Sequence, residues 1–411
     1  MSEADRPPRV VYAVTHPMTA RYLLAGQLAH LRRAGFEPHL VASPGPELDE
    51  VARREEIAVH AVPMAREMSP AADALALLRL VGLLRRLRPD VVNAGTPKAG
   101  LLALLAARLA RVPVRIYTLR GLRLETARGP VRRLLRSAER LAAGSAHRVV
   151  CVSESLRRRA VELGLAPAGR VAVLADGSSN GVDPDRFVRP AGEAAALRAE
   201  LGIAAGAPVV GFVGRLTRDK GLPELAEAFL DGLARSFPEA RLLLVGEHEP
   251  GDPVPGVVAA RLRTEPRVVA TGFVEDTAPY YGLMDVLAFP SHREGFPNAP
   301  LEAGAAGLPV VGCAVTGTVD AVVDGETGTL VPPGDAPALV RAIAAYLESP
   351  ERARRHGRAG RERVERRFRS EIVWRAWEEE YRRLLAEVGN GRIGRREADG
   401  TGRPGRGGSA R

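Results

Sequence analysis

The run PVVGFVGRLTRDKGLPELAEAFLDGLARS at residues 208–236 decides the fold of this chain. It begins as a short β-branched stretch, passes through a glycine and a basic loop, and continues as an amphipathic helical pattern. An apolar strand that leads directly into a helix is typical of parallel sheets covered by helices on both faces. The run therefore predicts one βα unit of a doubly wound α/β fold.

The same alternation of strand and helix extends over most of the 411 residues. Seven strand runs are predicted before residue 176 and six after residue 207. This predicts two Rossmann-like domains that face a cleft, since ligands of such sheets bind outside the carboxyl ends of the strands. The predicted helices include residues 22–34, 74–87, 100–110, 130–143 and 222–236.

A domain boundary is predicted where the alternation breaks into a segment bounded by proline and glycine. After the second domain, both tryptophans lie with Tyr381 and Leu384 on one helical stripe, which predicts a helix that packs back on a domain. The Gly- and Arg-rich end is predicted to be disordered. The predicted segments are an N-terminal domain (1–185), a linker (186–206), a C-terminal domain (207–370), a clasp helix (371–388) and a basic tail (389–411).

The formal net charge of +10 invites an anionic partner. From residue 388 onwards, six arginines against two acidic residues supply +4 of it. Aromatic residues make up only 4% of the chain, too few for the stacking platforms of a single-stranded nucleic-acid binder, so no nucleic-acid partner is expected. The basic helical run at 131–140 fits either an anionic membrane surface or an ordinary solvated helix.

The cysteines and the hydropathy pattern indicate the compartment. Cys151 and Cys313 each follow an apolar run without metal-ligand spacing, which predicts buried thiols in a reducing compartment. No apolar stretch reaches the ~18 residues of a membrane span, and no signal-peptide pattern is present. We expect a cytoplasmic protein, at most peripheral at the inner face of the plasma membrane.

The run EGFPNAPLE at residues 294–302 follows a predicted strand and carries the strongest functional signal. Pro300 is tolerated only near a helix start, so a helix is predicted to begin near Asn298. Free N–H groups at that start would bind an anion, while Glu294 and Glu302 would accept hydroxyl groups, Glu302 from a ribose and Glu294 from a sugar. A capped helix with two ordinary surface glutamates is the alternative.

A second signal, GRLTRDKG, follows the strand of the opening run at residues 214–221. A glycine, the donor fork of Arg215 and the point charge of Lys220 together suit a diphosphate; a charged surface turn is the alternative. Lys98 and Lys220 are the two lysines among 59 basic residues. This points to two anion sites, unless GC-rich coding replaced the other lysines by arginine.

These elements resemble those of the family-four retaining glycosyltransferases of the GT-B fold, which carry a strand-G-R-x4-K-G element and an E-x7-E motif. Gly272-Phe273-Val resembles the loop that cradles the donor base, and NGVDPDRF at 180–187 resembles the family's N-G-x-D-x-x-R-F signature. The resemblance extends from about residue 10 to 381. It implies transfer of a hexose-type sugar with retention, from a nucleotide-sugar donor held by the C-terminal domain.

The resemblance also implies roles for single residues. Arg215 and Lys220 hold the donor diphosphate, Glu302 the ribose and Glu294 the transferred sugar, so Glu294, Arg215 and Lys220 are the expected catalytic residues. The donor is expected to be a UDP-sugar, and no metal or other cofactor is expected. The donor-binding residues are then Gly214, Arg215, Lys220, Gly272, Phe273, Glu294, Gly295, Phe296, Asn298, Ala299, Leu301 and Glu302.

On the acceptor side, Thr96 is predicted to cap a helix that carries Lys98 in its first turn. The helix dipole disfavours a cation there, which an anionic acceptor would explain; a lysine that swings into solvent is the alternative. Arg120 stands where many family members have a histidine, and it could neutralise charge on the diphosphate. The first βα loop offers Thr19 where many relatives have a glycine pair, and His16 is expected to be structural.

The elements TPKAG and YTLRGLR resemble the branch associated with capsular and exopolysaccharide assembly. This implies an anionic, polyprenyl-diphosphate-linked saccharide acceptor. The first alternative is secondary metabolism, with an antibiotic or phosphoglycolipid intermediate as acceptor. More remote alternatives are a sugar-nucleotide epimerase of the same fold and a non-catalytic nucleotide-binding protein. A nicotinamide-dependent oxidoreductase is weaker, because no strand leads into G-x-G-x-x-G.

Overall fold

A computed structural model of the protein describes residues 6–65, 69–188, 191–391 and 393. Each predicted strand run contains a strand in this structure, so the predicted order of strands is confirmed. The strands are β1 (Arg9–Ala13), β2 (Glu37–Ala42), β3 (Ala58–Ala61), β4 (Val91–Gly95), β5 (Val114–Leu119), β6 (Arg148–Cys151), β7 (Val171–Val173), β8 (Val209–Val213), β9 (Arg241–Val245), β10 (Val268–Gly272), β11 (Val286–Phe289), β12 (Val310–Cys313) and β13 (Gly328–Val331).

Helices fill the segments between the strands. A π-helical turn, Ala228–Leu233, joins α9 to α10, so the helix predicted at 222–236 is continuous. The helices are α1 (Pro17–Leu23), α2 (Gln27–Arg33), α3 (Pro46–Glu55), α4 (Pro70–Leu87), α5 (Pro97–Leu109), α6 (Gly129–Ser145), α7 (Glu154–Glu162), α8 (Ala191–Glu200), α9 (Leu222–Glu227), α10 (Ala234–Ser236), α11 (Gly256–Thr264), α12 (Ala278–Tyr281), α13 (Asn298–Ala305), α14 (Thr318–Ala321), α15 (Ala336–Leu347), α16 (Pro350–Arg367) and α17 (Ser370–Gly389).

The single helix predicted at residues 22–34 is wrong, because two helices meet there. Helix α1 ends at Leu23, and α2 begins only at Gln27. Gly26 between them has a φ of 76°, a left-handed conformation that glycine adopts without strain. Its N–H donates to the Glu55 carboxylate at 2.9 Å, which replaces the lost intrahelical bond. Periodicity alone could not reveal this break.

The strands form two sheets that share one order over six strands, and the first sheet has a seventh strand, β7, at its end. The first sheet has the order β3-β2-β1-β4-β5-β6-β7, and the second has the order β10-β9-β8-β11-β12-β13. The neighbouring pairs β1–β4 and β8–β11 are parallel. In both sheets the chain order reverses at this central pair, which is the switch-point arrangement of a Rossmann fold. The predicted pair of doubly wound Rossmann-like sheets is thereby confirmed.

The second sheet is buried on both faces, as its apolar strands require. Every residue of β8 is buried, and the side chains of successive residues point to opposite faces. Val210 and Phe212 pack with α9 and α15 in one core, while Val209 and Val213 pack with α12 and α13 in another. Because all neighbouring strands of this sheet are parallel, their carboxyl ends lie at one edge of it.

The described residues group into two compact units. Unit 1 draws on Met1–Thr118, Glu139–Val149 and Arg375–Arg411, and unit 2 draws on Leu119–Ala138 and Val150–Trp374. Within unit 1, the buried hydroxyl of Tyr381 lies 2.6 Å from that of Tyr12 and accepts a hydrogen bond from Asn93 at 2.7 Å. Helix α17 therefore packs back on β1 and β4, which confirms the predicted C-terminal packing helix.

Other predictions on domain organisation stay predictions. Helix α8 lies inside the proposed linker at 186–206, and the proposed tail at 389–411 falls mainly outside the described residues. Among the helices that the structure describes, none combines the length and apolar character needed to cross a bilayer.

Candidate active site

The second sheet brings the two predicted donor motifs to one place. Strands β8 and β11 are parallel neighbours at the switch point. The loop after β8 carries residues 214–221, and the loop after β11 leads into the run at 294–302. Ligands of open parallel sheets bind outside the carboxyl ends of the strands at such a point. The motifs are 73 residues apart from Gly221 to Glu294 along the chain, yet both lie at this edge.

Gly221 allows the two loops to approach closely. Its φ is 73°, and a Cβ atom built on it would lie 2.1 Å from the carbonyl oxygen of Pro290. Any other residue would be strained and would clash with the backbone that follows β11. The glycine after Lys220 is therefore explained by backbone contact between the loops.

Lys220 and Glu294 form an ion pair at this edge. The Lys220 Nζ contacts the Glu294 Oε1, and the buried Ser291 hydroxyl donates a hydrogen bond to the same oxygen at 2.7 Å. Both side chains are largely buried, with 19% and 11% of their surface exposed. The ring of Phe289 lies 5.7 Å from Nζ. The structure thus brings together two of the three predicted catalytic residues.

Arg215 is the third predicted catalytic residue and the most exposed of the three, with 55% of its side-chain surface exposed. Its guanidinium forms an ion pair with Glu249, in the loop after β9. A Cβ atom on Gly246 would lie 2.0 Å from the carbonyl oxygen of Gly214, and the Gly246 N–H donates to the Gly272 carbonyl at 3.0 Å. These glycines let the ends of β8, β9 and β10 meet backbone to backbone.

Glu302 lies in α13, one turn beyond the helix start. Its carboxylate accepts a hydrogen bond from the Tyr281 hydroxyl at 2.8 Å. Burial raises the pKa of Glu302, and burial together with the neighbouring Glu302 charge raises the pKa of Tyr281 well above its ordinary value. The hydroxyl therefore stays a donor and holds one carboxylate oxygen in place.

The predicted helix start is confirmed, because α13 begins at Asn298. Asn298 and Ala299 are half-buried, whereas the Leu301 side chain is buried in the core. The N–H groups of a first helical turn lack intrahelical partners and create a positive end. This turn can therefore bind an anion at the same edge as Lys220.

Gly295 and Phe296 connect this helix to other parts of unit 2. A Cβ atom on Gly295 would lie 2.1 Å from the carbonyl oxygen of Arg120, so the backbones of these two residues touch. Arg120, which stands where relatives have a histidine, therefore adjoins the donor motif within one compact unit. The Phe296 ring packs 5.2 Å from that of Phe368 and belongs to the core.

The loop after β10 presents an aromatic ring. Strand β10 ends at Gly272, whose φ is 70°, and 48% of Phe273 is exposed. An exposed ring at the carboxyl end of a strand offers a flat apolar face to a planar ligand group. The role of this loop in holding the donor base stays a prediction.

Lys98, in unit 1, has a partner within the chain. Its Nζ lies 2.8 and 3.0 Å from the two carboxylate oxygens of Asp73, which belongs to α4. This carboxylate accounts for a cation in the first turn of α5 without any bound anion. The position of this charge therefore gives no support to an acceptor role for Lys98, and that role stays a prediction.

The cap predicted for Thr96 is supplied by another residue. Thr96 occupies the N-cap position of α5 but makes no capping hydrogen bond there, and its φ of 76° is unusual for threonine. Instead the Thr15 hydroxyl accepts the Ala99 N–H at 3.2 Å and lies 2.8 Å from the Thr96 hydroxyl. The prediction for the Thr96 side chain was therefore wrong, because the end of β1 brings a better-placed oxygen.

The first βα loop forms the start of α1. The His16 ring accepts the Met18 N–H at 3.2 Å, and the His16 carbonyl accepts the N–H of the half-buried Thr19 at 3.0 Å. His16 is a helix cap, which agrees with the structural role expected for it. The contribution of Thr19 to an acceptor site stays a prediction.

The described residues contain no cluster of three or more His, Cys, Asp or Glu side chains arranged to hold a metal ion. The chain has one Asp-x-Asp sequence, Asp183 and Asp185. Asp183 caps its own turn by accepting the Asp185 N–H at 3.0 Å, and Asp185 pairs with Arg369 at 3.1 Å. Both cysteines are buried, as predicted.

Three residues of this edge escaped the sequence analysis. Ser291 precedes Glu294 by three residues, and its position at the end of an apolar strand is a weak signal for a buried hydroxyl. Tyr281 and Glu249 lie 21 residues before Glu302 and 34 residues after Arg215, respectively. Neither separation carries a sequence signal, because only the folded sheet brings the partners together.

Comparisons with known proteins agree with this architecture. Residues 207–349 match the family described as Glycosyl transferases group 1, and residues 24–186 match Glycosyltransferase Family 4. The capsular polysaccharide biosynthesis glycosyltransferase CapM of Staphylococcus aureus is 36% identical over 365 residues, which cover 89% of this chain and 94% of that protein. The UDP-Gal:alpha-D-GlcNAc-diphosphoundecaprenol alpha-1,3-galactosyltransferase of Escherichia coli is 26% identical over 287 residues, covering 69% of this chain and 73% of that protein.

Among solved structures, the Anabaena protein HepE in complex with UDP-glucose superimposes with a TM-score of 0.75. The match covers 90% of this chain and 98% of HepE at 22% sequence identity, which shows a shared fold. The two Rossmann-like sheets are therefore those of the GT-B fold. Since both halves match glycosyltransferase families and CapM is similar over almost its whole length, the chain belongs to the group 1, family 4 glycosyltransferases.

Proposed function

We propose that this glycosyltransferase moves a hexose-type sugar from a UDP-sugar to an anionic, polyprenyl-diphosphate-linked saccharide in polysaccharide biosynthesis, with retention and without a metal. The similarity to CapM supports the pathway class. The names of the Escherichia coli relative and of the HepE complex support a UDP-sugar donor, and the former also supports a lipid diphosphate acceptor.

The observation that carries the proposal is the pairing of Lys220 with Glu294 at the switch point, next to the start of α13. A lysine, an arginine and free helix N–H groups suit a diphosphate, whereas carboxylates at the same edge suit hydroxyl groups. In the proposed complex, Arg215 and Lys220 bind the diphosphate, Glu294 binds the transferred sugar and Glu302 binds the ribose diol.

The chemistry proposed for this site depends on stabilising the departing diphosphate. As the bond between sugar and phosphate breaks, negative charge grows on the phosphate oxygens, and Lys220, Arg215 and the α13 N–H groups stabilise it. Glu294 holds the sugar so that the acceptor hydroxyl attacks from the face the diphosphate leaves. The leaving phosphate oxygen takes the hydroxyl proton, so no side chain has to act as a covalent nucleophile.

The acceptor side of the proposal requires one existing contact to rearrange. Lys98 must leave Asp73, or share it, in order to reach an acceptor phosphate. The Arg120 backbone contacts Gly295 of the donor motif, and we propose that its guanidinium neutralises charge on the donor diphosphate. Thr19 is the third acceptor-side residue of the proposal.

We also propose peripheral contact with the inner face of the plasma membrane. Helix α6 exposes Val131, Leu134 and Leu141, which are 53%, 49% and 49% exposed. Arginines at 132, 133 and 140 on the same helix are exposed as well. Apolar side chains flanked by arginines suit the interface of an anionic bilayer, which is where a polyprenyl-linked acceptor resides.

The test is a donor and acceptor screen with purified full-length protein. UDP release would be measured with several UDP-sugars and polyprenyl-diphosphate saccharides, with and without EDTA. We expect EDTA-resistant turnover that depends on both substrates, and an α-anomeric product from an α-linked donor by NMR. An inverted product or loss of turnover in EDTA would overturn those parts of the proposal. An epimer formed from donor alone would indicate the epimerase, and turnover only with antibiotic precursors would indicate secondary metabolism.

A further inference from the structure

Two further ion pairs join the segment around Lys220, which includes the first turn of α9, to the loop residues that precede Glu294. The His292 Nε2 lies 2.9 Å from the Glu224 Oε1, and the Arg293 Nη2 lies 2.8 Å from the Asp219 Oδ2. All four side chains are partly buried. Each pair therefore connects a residue near Lys220 in sequence with a residue near Glu294.

Backbone contacts make this connection close. The His292 N–H donates to the Asp219 carbonyl oxygen at 2.9 Å. The Asp219 N–H in turn donates to the Asp252 carboxylate at 2.7 Å, which fixes the loop from its other side. Together with the contact between Gly221 and Pro290, these bonds hold the two loops in one relative position.

The need for such bonds follows from the proposed function, on which this inference rests. Lys220 and Glu294 contact each other in this structure, but the proposed complex requires Lys220 on a phosphate and Glu294 on a sugar hydroxyl. When they separate, their ion pair no longer holds the loops together. Bonds that do not involve either residue must then keep the two side chains at the spacing that the donor needs.

We propose that His292 and Glu224 are positioning residues. Together with the neighbouring Asp219–Arg293 pair, they hold the loop that carries Lys220 (residues 214–221) and the loop that carries Glu294 (residues 290–297) in one relative position while the donor is bound. Neither His292 nor Glu224 contacts the donor in this proposal. Their effect reaches the donor through Lys220 and Glu294, so they belong to the site without being catalytic.

The charges around His292 suit this role. The hydrogen bond to Glu224 raises the pKa of His292 against the opposing effect of burial; Asp219 raises it further and Arg218 lowers it. The net shift is upward, so the imidazole keeps its charge to higher pH than an exposed histidine. Above that raised pKa His292 becomes neutral while Glu224 keeps its charge, so the ion pair is lost and donor affinity should fall.

A matched pair elsewhere in the chain provides the control. In unit 1, the His30 Nε2 also lies 2.9 Å from a glutamate oxygen, that of Glu378, and both side chains are partly buried. His30→Ala therefore removes a histidine–glutamate pair of the same geometry outside the proposed site. It should affect stability much as His292→Ala does, but not donor affinity.

The experiment measures binding of UDP, with GDP in parallel, to the full-length protein by calorimetry at pH 6.5 and pH 8.5. We expect His292→Ala and Glu224→Ala each to weaken UDP binding about tenfold at pH 6.5, with the double variant no weaker than either single one. His292→Gln, which keeps a donor toward Glu224, should restore part of the affinity and remove the loss of affinity between pH 6.5 and pH 8.5 that His292 causes. His30→Ala should bind as the wild type does.

The results for the variants test the positioning role, and the result for the wild type tests the proposed donor site. Wild-type affinity in folded His292→Ala and Glu224→Ala would overturn the positioning role and leave the proposed function intact. A loss in His292→Ala alone, with Glu224→Ala unchanged, would place His292 on the ligand and also overturn it. If the wild type binds neither UDP nor GDP, the proposed donor site itself is wrong, and this inference is wrong with it.

Discussion

The two switch points of this molecule share a strand order and differ in their side chains. At the edge of the second sheet, the loops after β8 and β11 carry Lys220 and Glu294 in contact. At the corresponding edge of the first sheet, the loops after β1 and β4 bring together the hydroxyl groups of Thr15 and Thr96, 2.8 Å apart. The contact between the two loops joins opposite charges in the second sheet and two neutral hydroxyl groups in the first.

The helices that follow differ in the same way. The N-cap residue of α13 is Pro297, whose side chain has no atom that could accept a hydrogen bond from the first turn. In α5, by contrast, the Thr15 hydroxyl accepts a hydrogen bond from the Ala99 N–H, and Asp73 forms an ion pair with Lys98. The N–H groups at a helix start can bind an anion only where other groups of the chain do not already accept their hydrogen bonds. The comparison thus favours the second sheet as the anion-binding half.

Substitution of the two lysines by alanine tests this comparison, and the loss of activity expected for Lys220→Ala is the largest effect predicted. Lys220→Ala should lower kcat/KM for donor about 100-fold, because it removes one charge from the departing diphosphate. Lys98→Ala should leave UDP affinity unchanged and raise the KM for acceptor. Steady-state UDP release and calorimetry with UDP measure both effects. Equal losses of UDP affinity in the two variants would contradict the division of roles between the sheets.

The next largest effect is expected on the free energy of unfolding and comes from Glu139, a buried carboxyl group in unit 1. Burial raises the pKa of Glu139 to about 7 from 4.5, although the Tyr117 hydroxyl donates to it at 2.7 Å. The folded protein thus holds this proton more tightly than the unfolded chain. The stabilisation is complete below pH 4.5 and is lost as pH rises to about 7, a change of roughly 3 kcal/mol.

Glu139→Gln keeps an acceptor for Tyr117 and has no proton to lose. Its melting temperature should therefore change less than that of the wild type between pH 5 and pH 8. Thermal unfolding followed by circular dichroism in that range measures the difference. Parallel curves for the two proteins would show that Glu139 does not titrate there.

Glu302 should show a smaller effect, confined to the second sheet. Glu302→Gln removes the charge that would accept a ribose hydroxyl, and UDP affinity should fall about tenfold. Since burial raises the pKa of Glu302, wild-type affinity should also fall as pH is lowered through that raised pKa, when the carboxylate becomes protonated. Calorimetry with UDP from pH 5 to pH 8 tests this. Tyr281→Phe is the control, because it retains the carboxylate and should lose less affinity.

The smallest effect concerns the helix cap in the first sheet. Thr15→Ala removes the oxygen that accepts the Ala99 N–H, and it should cost about 1 kcal/mol of unfolding free energy. Thr96→Ala should cost less, because the Thr96 hydroxyl does not cap α5. Chemical denaturation of both variants measures the difference. A larger loss in Thr96→Ala would contradict this ranking and show that the bond from the Thr15 N–H to the Thr96 hydroxyl, at 3.2 Å, contributes more than the cap.

Much of the fold and part of the site could be predicted from local patterns. Apolar runs such as VVGFV at 209–213 need burial on both faces, which fixes them as central strands of a parallel sheet. Pro300 fixed the start of α13, because proline is tolerated only near the beginning of a helix. The break at Gly26 was missed, since a left-handed glycine leaves the apolar periodicity on both sides unchanged.

The sequence by itself determined the order of strands and helices, the two Rossmann-like sheets and the residues that carry charge near the switch point. Hydrophobic periodicity and turn chemistry are local, so they can be read along the chain. Only the tertiary structure decided which charges meet: Lys220 with Glu294, Lys98 with Asp73, and His292 with Glu224. These partners lie between 25 and 74 residues apart, and their contact depends on strand order, which no local pattern encodes.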